Sequence, residues 1–337
     1  MNERVYVQTN DAERNEVIAF DRAGDGRLTP LGRCETGGRG TGKPHLASQS
    51  SVVLSDDGSW LLVANAGSDE LSLFAVEPDG LRLAGRVASG GSAPTSVAVR
   101  GGLVYALNNS TPNVSGFRLD EGLTPLEGSI RALDGDADPA QVSFSPDGGT
   151  LVVTERGTNR ISAFTIGERG DAEGPRTIPS SGATPYGFDF ADGAVVVTEA
   201  FGGEIGRAAA SSYALVGAGR LEPVSGSVAD TRSEVCWAAA TRDGRFVYVT
   251  NFGDGTISSY TVREGGSLEL LEAVAGSTRY GQPGVRDEAL SRDGRFLYAI
   301  DADAQRVFGW SVGVDGRLEL VGEFEGVPAT VAGLAAS

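Results

Sequence analysis

Near position 286 an arginine is set among carboxylates. In VRDEALSRDG, Arg286 is followed directly by Asp287, while Glu155 and Glu199 close the apolar runs LVVTE and VVVTE and Glu234 precedes the run VCWAAA. A guanidinium fork matches a carboxylate, a phosphate or a carbonyl oxygen, and a carboxylate beside it can activate water. In a chain of formal net charge -17, an arginine so placed is an anchor for an anionic or carbonyl-bearing ligand. Glutamate is a poor turn residue, so Glu155 and Glu199, with Glu234, Asp287 and Asp301, read as an acidic rim around Arg286. Gln141, Tyr186, Trp237 and Asn251 would shape the pocket. Ion pairs satisfied by Arg156 and Arg286 are the competing reading, and Asn65, Asn108 and Asn251 would serve equally as strand-ending turn residues.

Other catalytic chemistry is thinly represented. His45, the sole histidine, lies in the loop TGKPHLASQSS, and a lone histidine excludes a histidine-rich metal site and any two-histidine mechanism. There is no GxSxG, HExxH or CxxC, and GGRGTGK lacks the strand and the ending of a phosphate loop. No cofactor and no metal are expected. The one metal-dependent alternative would be oxygen ligation of Ca²⁺ by Glu155, Glu199, Asn251 and Asp301.

These residues are positioned by a repeat. The stretch CWAAATRDGRFVYVTNFGDGTISSYTVREGGSLELLEA from Cys236 holds four strand-like runs separated by turn signals, and its pattern recurs from Ser51, Gln141 and Glu288. The turn aspartates Asp57, Asp147, Asp243 and Asp293 stand 90, 96 and 50 residues apart, which is one or two units at a time. Weaker units from Thr95 and Tyr186 fill the gaps, and the N-terminal unit lacks an innermost run that PATVAGLAAS at the C-terminus can supply. The pattern predicts an all-β chain: a seven-bladed β-propeller of four-stranded antiparallel blades, one domain over 1–337, its ring closed by residues 328 to 337 pairing beside Val5 to Val7. Hairpins through the DG turns put the start of each first strand and the end of each second strand at one end of the central channel. The ligand site is expected there, with a bland opposite face of DG turns.

The negative charge argues against nucleic acid and anionic membranes as partners. Lys43 is the only lysine among 28 basic side chains. MNERVYVQTND passes from charged residues directly into a strand, without the apolar segment of a secretory signal. A cytoplasmic monomer with a small-molecule ligand is the expectation. Cys34, on an outer edge, and Cys236, on an inner strand, should remain thiols.

The segments VANAGSDELSLFAVEPDG, VSFSPDGGTLVVTERGTNRISAF, ATRDGRFVYVTNFGDGTISSYTV and VRDEALSRDGRFLYAIDA resemble the seven-bladed β-propeller lactonase family, which includes 6-phosphogluconolactonases and fungal carboxymuconate lactonising enzymes. The resemblance covers almost the entire chain. It implies a site of histidine, glutamate and arginine at the channel mouth, with the arginine at Arg286, the histidine position at Gln141 and the glutamate position at Trp237. Two of those three groups are therefore replaced, and Glu234 could stand in for the glutamate only if its strand bulged. The resemblance implies a pocket but not a substrate; the chemistry of the residues adds the expectation of metal-free opening of a small sugar-type or organic-acid lactone, with Arg286 polarising the carbonyl and Glu155 or Glu199 as base, and Gln141, Tyr186, Trp237, Asn251, Asp287, Asp301 and His45 contacting substrate. The alternatives are a lactonising or isomerising enzyme on the same groups, or a propeller that only binds a ligand or a protein.

Overall fold

The recurring turn is a knot of hydroxyl and aspartate. Ser55 Oγ donates to Asp57 Oδ1 at 2.7 Å, Asp57 also accepts from the Ser59 N–H at 3.0 Å, and the Trp60 N–H donates back to Ser55 Oγ at 3.0 Å. The hydroxyl–aspartate bond repeats at Ser145–Asp147, Thr241–Asp243 and Ser291–Asp293, at 2.6 to 2.7 Å. The glycine that follows is left-handed, with φ 73° at Gly58 and 75° at Gly148, a conformation other residues resist. Donated hydrogen bonds stabilise the charged form and hold the Asp57 carboxyl down at about 2.

Each knot joins an innermost strand to a second strand, and two further strands complete an antiparallel sheet. In this computed structural model, which describes residues 3–44, 46–217 and 219–337, seven such sheets form a ring. Their innermost strands are Ala332–Ala336 in blade 1, then Val52–Leu54, Pro94–Arg100, Pro139–Phe144, Pro185–Ala191, Val235–Ala240 and Val285–Leu290 in blades 2 to 7. Blade 3 departs slightly, its outermost strand being broken into Leu123–Pro125 and Arg131–Ala132. The ring closes as the repeat implied: Val5, Tyr6 and Val7 pair with Ala336, Ala335 and Leu334.

The core lies between blades. Second strands such as Leu103–Asn108, Thr150–Glu155 and Phe246–Asn251 are buried along their whole length because a neighbouring sheet covers each face, which is why they read as near-continuous apolar runs. A tyrosine on the second strand recurrently reaches the outer hairpin of the next blade: Tyr105 to Gly170 O at 2.9 Å, Tyr248 to Gly316 O at 2.8 Å, and Tyr298 to Gly26 O at 2.7 Å. The last of these crosses the closure, so blade 7 packs on blade 1 as any other pair does, with Val5, Val7 and Phe20 against Tyr298, Ile300 and Val307. Cys34 and Cys236 are both free thiols. No helix in the described residues is long and apolar enough to cross a membrane.

Candidate active site at the strand starts

The chain reaches most innermost strands through a left-handed residue, Ala93 (φ 54°), Asp138 (41°), Thr184 (58°) and Glu234 (56°) in blades 3 to 6. Just inside, the pairing register slips: between Pro139 and Gln141, Pro185 and Phe188, Val235 and Trp237, and Val285 and Glu288. A bulge re-aims side chains, and here it gathers Tyr186, Cys236, Trp237 and Arg286 at one end of the axis. The displacement that Glu234 needed is therefore present.

Arg286 lies over the Phe252 ring, its Cζ 4.7 Å from the centroid, with Nη2 3.8 Å from Asp303 Oδ1. Burial lowers its pKa while Asp303 opposes the shift. Arg156 repeats the arrangement over Tyr186 at 4.9 Å and pairs with Asp138 at 2.6 Å. Tyr186 and Trp237 pack with centroids 5.6 Å apart. Glu234 is half-buried; desolvation raises its carboxyl above the ordinary value and the charge of Arg286 pulls it back. Burial also pushes the Cys236 thiol up, so this cysteine is an unreactive neutral group.

The axis is closed immediately below this cluster. Residues 46–50 cross it: the Gln49 N–H donates to Ala140 O at 3.2 Å, Ser48 Oγ donates to Thr95 O at 2.7 Å, and Trp237 Nε1 donates to Ser48 O at 2.8 Å. The mouth is thus a capped end.

The expected site residues divide into three groups. Arg286, Tyr186 and Trp237 converge as described. Gln141 and Asp287 line the channel below the cap instead; Gln141 exchanges hydrogen bonds of 3.0 and 2.6 Å with Phe188 O and N, joining blades 4 and 5. Glu155, Glu199, Asn251 and Asp301 are inside their blades and form no rim. Glu155 accepts from Ser162 Oγ at 2.5 Å and Thr158 Oγ1 at 2.7 Å. Glu199 accepts from the Gly182 N–H at 2.7 Å, Ser211 Oγ at 2.5 Å and Ser227 Oγ at 2.7 Å. Asn251 donates to Ser258 Oγ at 2.8 Å, and Asp301 accepts from Thr278 Oγ1 at 2.7 Å and the Ala304 N–H at 2.8 Å. For Glu155, Glu199 and Asn251 the cause is local: the last residue of a second strand faces a hydroxyl on the third strand, as Asn65 faces Ser72 at 2.7 Å. Asp301 is held instead by the segment that leads into its blade, through Thr278 and through Arg279 at 3.4 Å. His45 lies outside the described residues. Among the described residues no three His, Cys, Asp or Glu side chains converge as a metal site.

Sequence reasoning left out Phe252 and the crossing made by Gln49, and it placed Arg156 only as an ion-pair partner, since no spacing rule reveals its stacking on Tyr186. Glu288 was legible in principle, as a glutamate at the inner-strand position where Val142 and Ala238 stand in blades 4 and 6.

The family described as Lactonase, 7-bladed beta-propeller matches residues 2–132, 121–200 and 221–332, and the chain belongs to that family. No curated protein matches it in sequence. Its fold is shared with a Lactobacillus plantarum protein (TM-score 0.78, 17% identity, 100% of both chains covered). It is shared too with a Bacteroides uniformis protein provisionally titled a 6-phosphogluconolactonase (0.76, 19%, 100% of both chains). A third neighbour is the periplasmic gluconolactonase of Pseudomonas aeruginosa (0.75, 18%, 100% of this chain and 99% of that one).

Proposed function

We propose that the protein hydrolyses a small lactone, of the sugar or organic-acid type, at the axial end that carries Glu234 and Arg286. Membership of a lactonase family supports the reaction class. The observation that carries the site is Glu234 itself, held in left-handed backbone ahead of a bulged strand, half-open to solvent, and sensing the charge of Arg286. Strained backbone of this kind gathers where a side chain must be aimed.

The carboxylate of Glu234 takes a proton from water as the water oxygen attacks the lactone carbonyl carbon. Arg286 receives the developing oxyanion. When the intermediate collapses, the ring C–O bond breaks and the leaving alkoxide recovers the proton from Glu234, giving the hydroxy acid. Glu155 and Glu199, saturated with hydroxyl and backbone donors, have no part in it. Lactonisation would use the same groups in reverse.

A second reading, a propeller that binds a ligand without turning it over, is favoured by one fact: the Arg286 side chain is only 5% exposed. Titration of acid released from a panel of aldonolactones and dicarboxylic-acid lactones, with and without chelator, decides between them. Turnover lost in Glu234→Gln supports hydrolysis, whereas saturable binding without acid release supports the second reading.

A further inference from the structure

Beyond Gln49 the channel opens toward the DG turns as a cavity of about 440 Å³. Its lining passes from buried Gln141, Ala238 and Glu288, through half-buried Ser143, Asp189 and Ala289, to exposed Asp56 and Arg242. One wall is the run Ala238, Ala239, Ala240 on blade 6, whose short side chains leave a niche between the carboxyls of blade 5 and blade 7.

Those carboxyls are Asp189, Asp287 and Glu288. Asp189 accepts from the Ala240 N–H at 2.8 Å and the Phe190 N–H at 2.7 Å, and Asp287 Oδ1 accepts from the Glu288 N–H at 3.0 Å. Both carboxylate oxygens of Glu288 have no hydrogen-bond partner among the described residues, although Glu288 is only 3% exposed. An enclosed acceptor left without a donor is costly. The charges that act on Glu288 are those of Asp287 and Asp189, both of its own sign, and Tyr248 on blade 6 also senses it. The basic side chains of the cavity, Arg242 and Arg292, stand at the solvent rim, where Arg292 donates to the carbonyls of Ser55 and Asp56. What the interior lacks is positive charge bearing N–H donors.

We propose that this cavity is a binding site for a small organic cation, an aliphatic amine or diamine, whose ammonium donates to Glu288 and Asp189 while its carbon chain lies along the three alanines. A single metal ion fits less well, because the carboxyls do not converge as a metal site among the described residues. A neutral polyol brings no positive charge against which the buried acids could ionise, so its binding would release no protons. Without the cation Asp287 and Glu288 hold protons at pH 7, since burial raises Asp287 to about 8 and Glu288 well above its ordinary range, while Asp189, raised to about 6, is largely ionised. Binding therefore releases protons. The Gln49 crossing separates this site from Glu234 and Arg286, and the proposal does not depend on the lactone reading.

The test is calorimetric titration of the whole protein with 1,4-diaminobutane at pH 7 in two buffers of different ionisation enthalpy, with erythritol and Ca²⁺ as parallel ligands. The expected result is saturable diamine binding with net proton release, weakened at least tenfold in Glu288→Gln and in Asp189→Asn, each shown by circular dichroism to be folded. No diamine binding at millimolar concentration, binding indifferent to both substitutions, or equal affinity for erythritol or Ca²⁺ overturns the proposal.

Discussion

Gln49, in the crossing segment ahead of blade 2, and Ala238, on the innermost strand of blade 6, exchange two hydrogen bonds: Gln49 Nε2 donates to Ala238 O at 2.6 Å, and the Ala238 N–H donates to Gln49 Oε1 at 3.0 Å. The amide imitates one rung of a β-ladder across the centre of the ring. It divides the axis into a capped end carrying Glu234 and Arg286 and a cavity facing the DG turns.

That rung is buried, so its loss should be felt. In Gln49→Ala both backbone groups of Ala238 lose their partner, and we expect a destabilisation of about 2 to 4 kcal/mol, read from the midpoint of urea unfolding. A loss below about 0.5 kcal/mol would mean that water replaces the amide and that the crossing is not a structural tie.

The architecture was legible because a repeat states itself many times. The DG turns at Asp57, Asp147, Asp243 and Asp293, and the surplus strand at the C-terminus, each report backbone geometry that local residue chemistry determines. Glu155 and Glu199 were misread for the same reason that they attracted notice. A glutamate closing an apolar run is unusual, but whether it points to the axis or into its own blade depends on Ser162 and Ser211, seven and twelve residues away. Glu234 was legible only conditionally, since the bulge beside it is a property of packing around the axis. Nothing in TGKPHLASQSS announced that Gln49 spans the ring.

The interior seams should behave as structure. Glu199→Ala strips a carboxylate from Gly182, Ser211 and Ser227, leaving donors without an acceptor inside blade 5. A destabilisation of about 3 kcal/mol is expected, with Glu199→Gln milder because it keeps one acceptor oxygen. Equal, negligible losses in thermal and urea unfolding would return Glu199 to the list of exposed acids.

Stability should fall as pH rises from 5 to 8.5. Asp189 and Asp287 are raised to about 6 and about 8 in the folded chain, above their unfolded values, so the protons they retain favour the fold at low pH and are lost through that window. Asp287 alone corresponds to about 3 kcal/mol between pH 5 and 8. The turn aspartates act in the opposite sense, Asp57 being lowered to about 2, so their contribution disappears only below pH 4. Melting temperature against pH should therefore peak near pH 4 to 5 and fall less steeply above it in Asp287→Asn, where Asp189 and Glu288 still release their protons. A curve that rises toward pH 8 in the wild type would contradict the burial of these acids.

The central claim is that Glu234 is the base and Arg286 the oxyanion partner. Its most direct measurement is kcat/KM across pH 4 to 9 on the best lactone of the panel, for wild type, Glu234→Gln, Arg286→Ala and the exposed control Glu264→Gln. We expect the wild-type profile to fall on the acid side with an apparent pKa above that of an ordinary glutamate, following the raised carboxyl. Glu234→Gln should lose at least a hundredfold together with that acid limb, Arg286→Ala should lose about 2 to 4 kcal/mol of transition-state stabilisation, and the control should be unchanged. A Glu234→Gln enzyme that keeps both its rate and its acid limb would contradict the account.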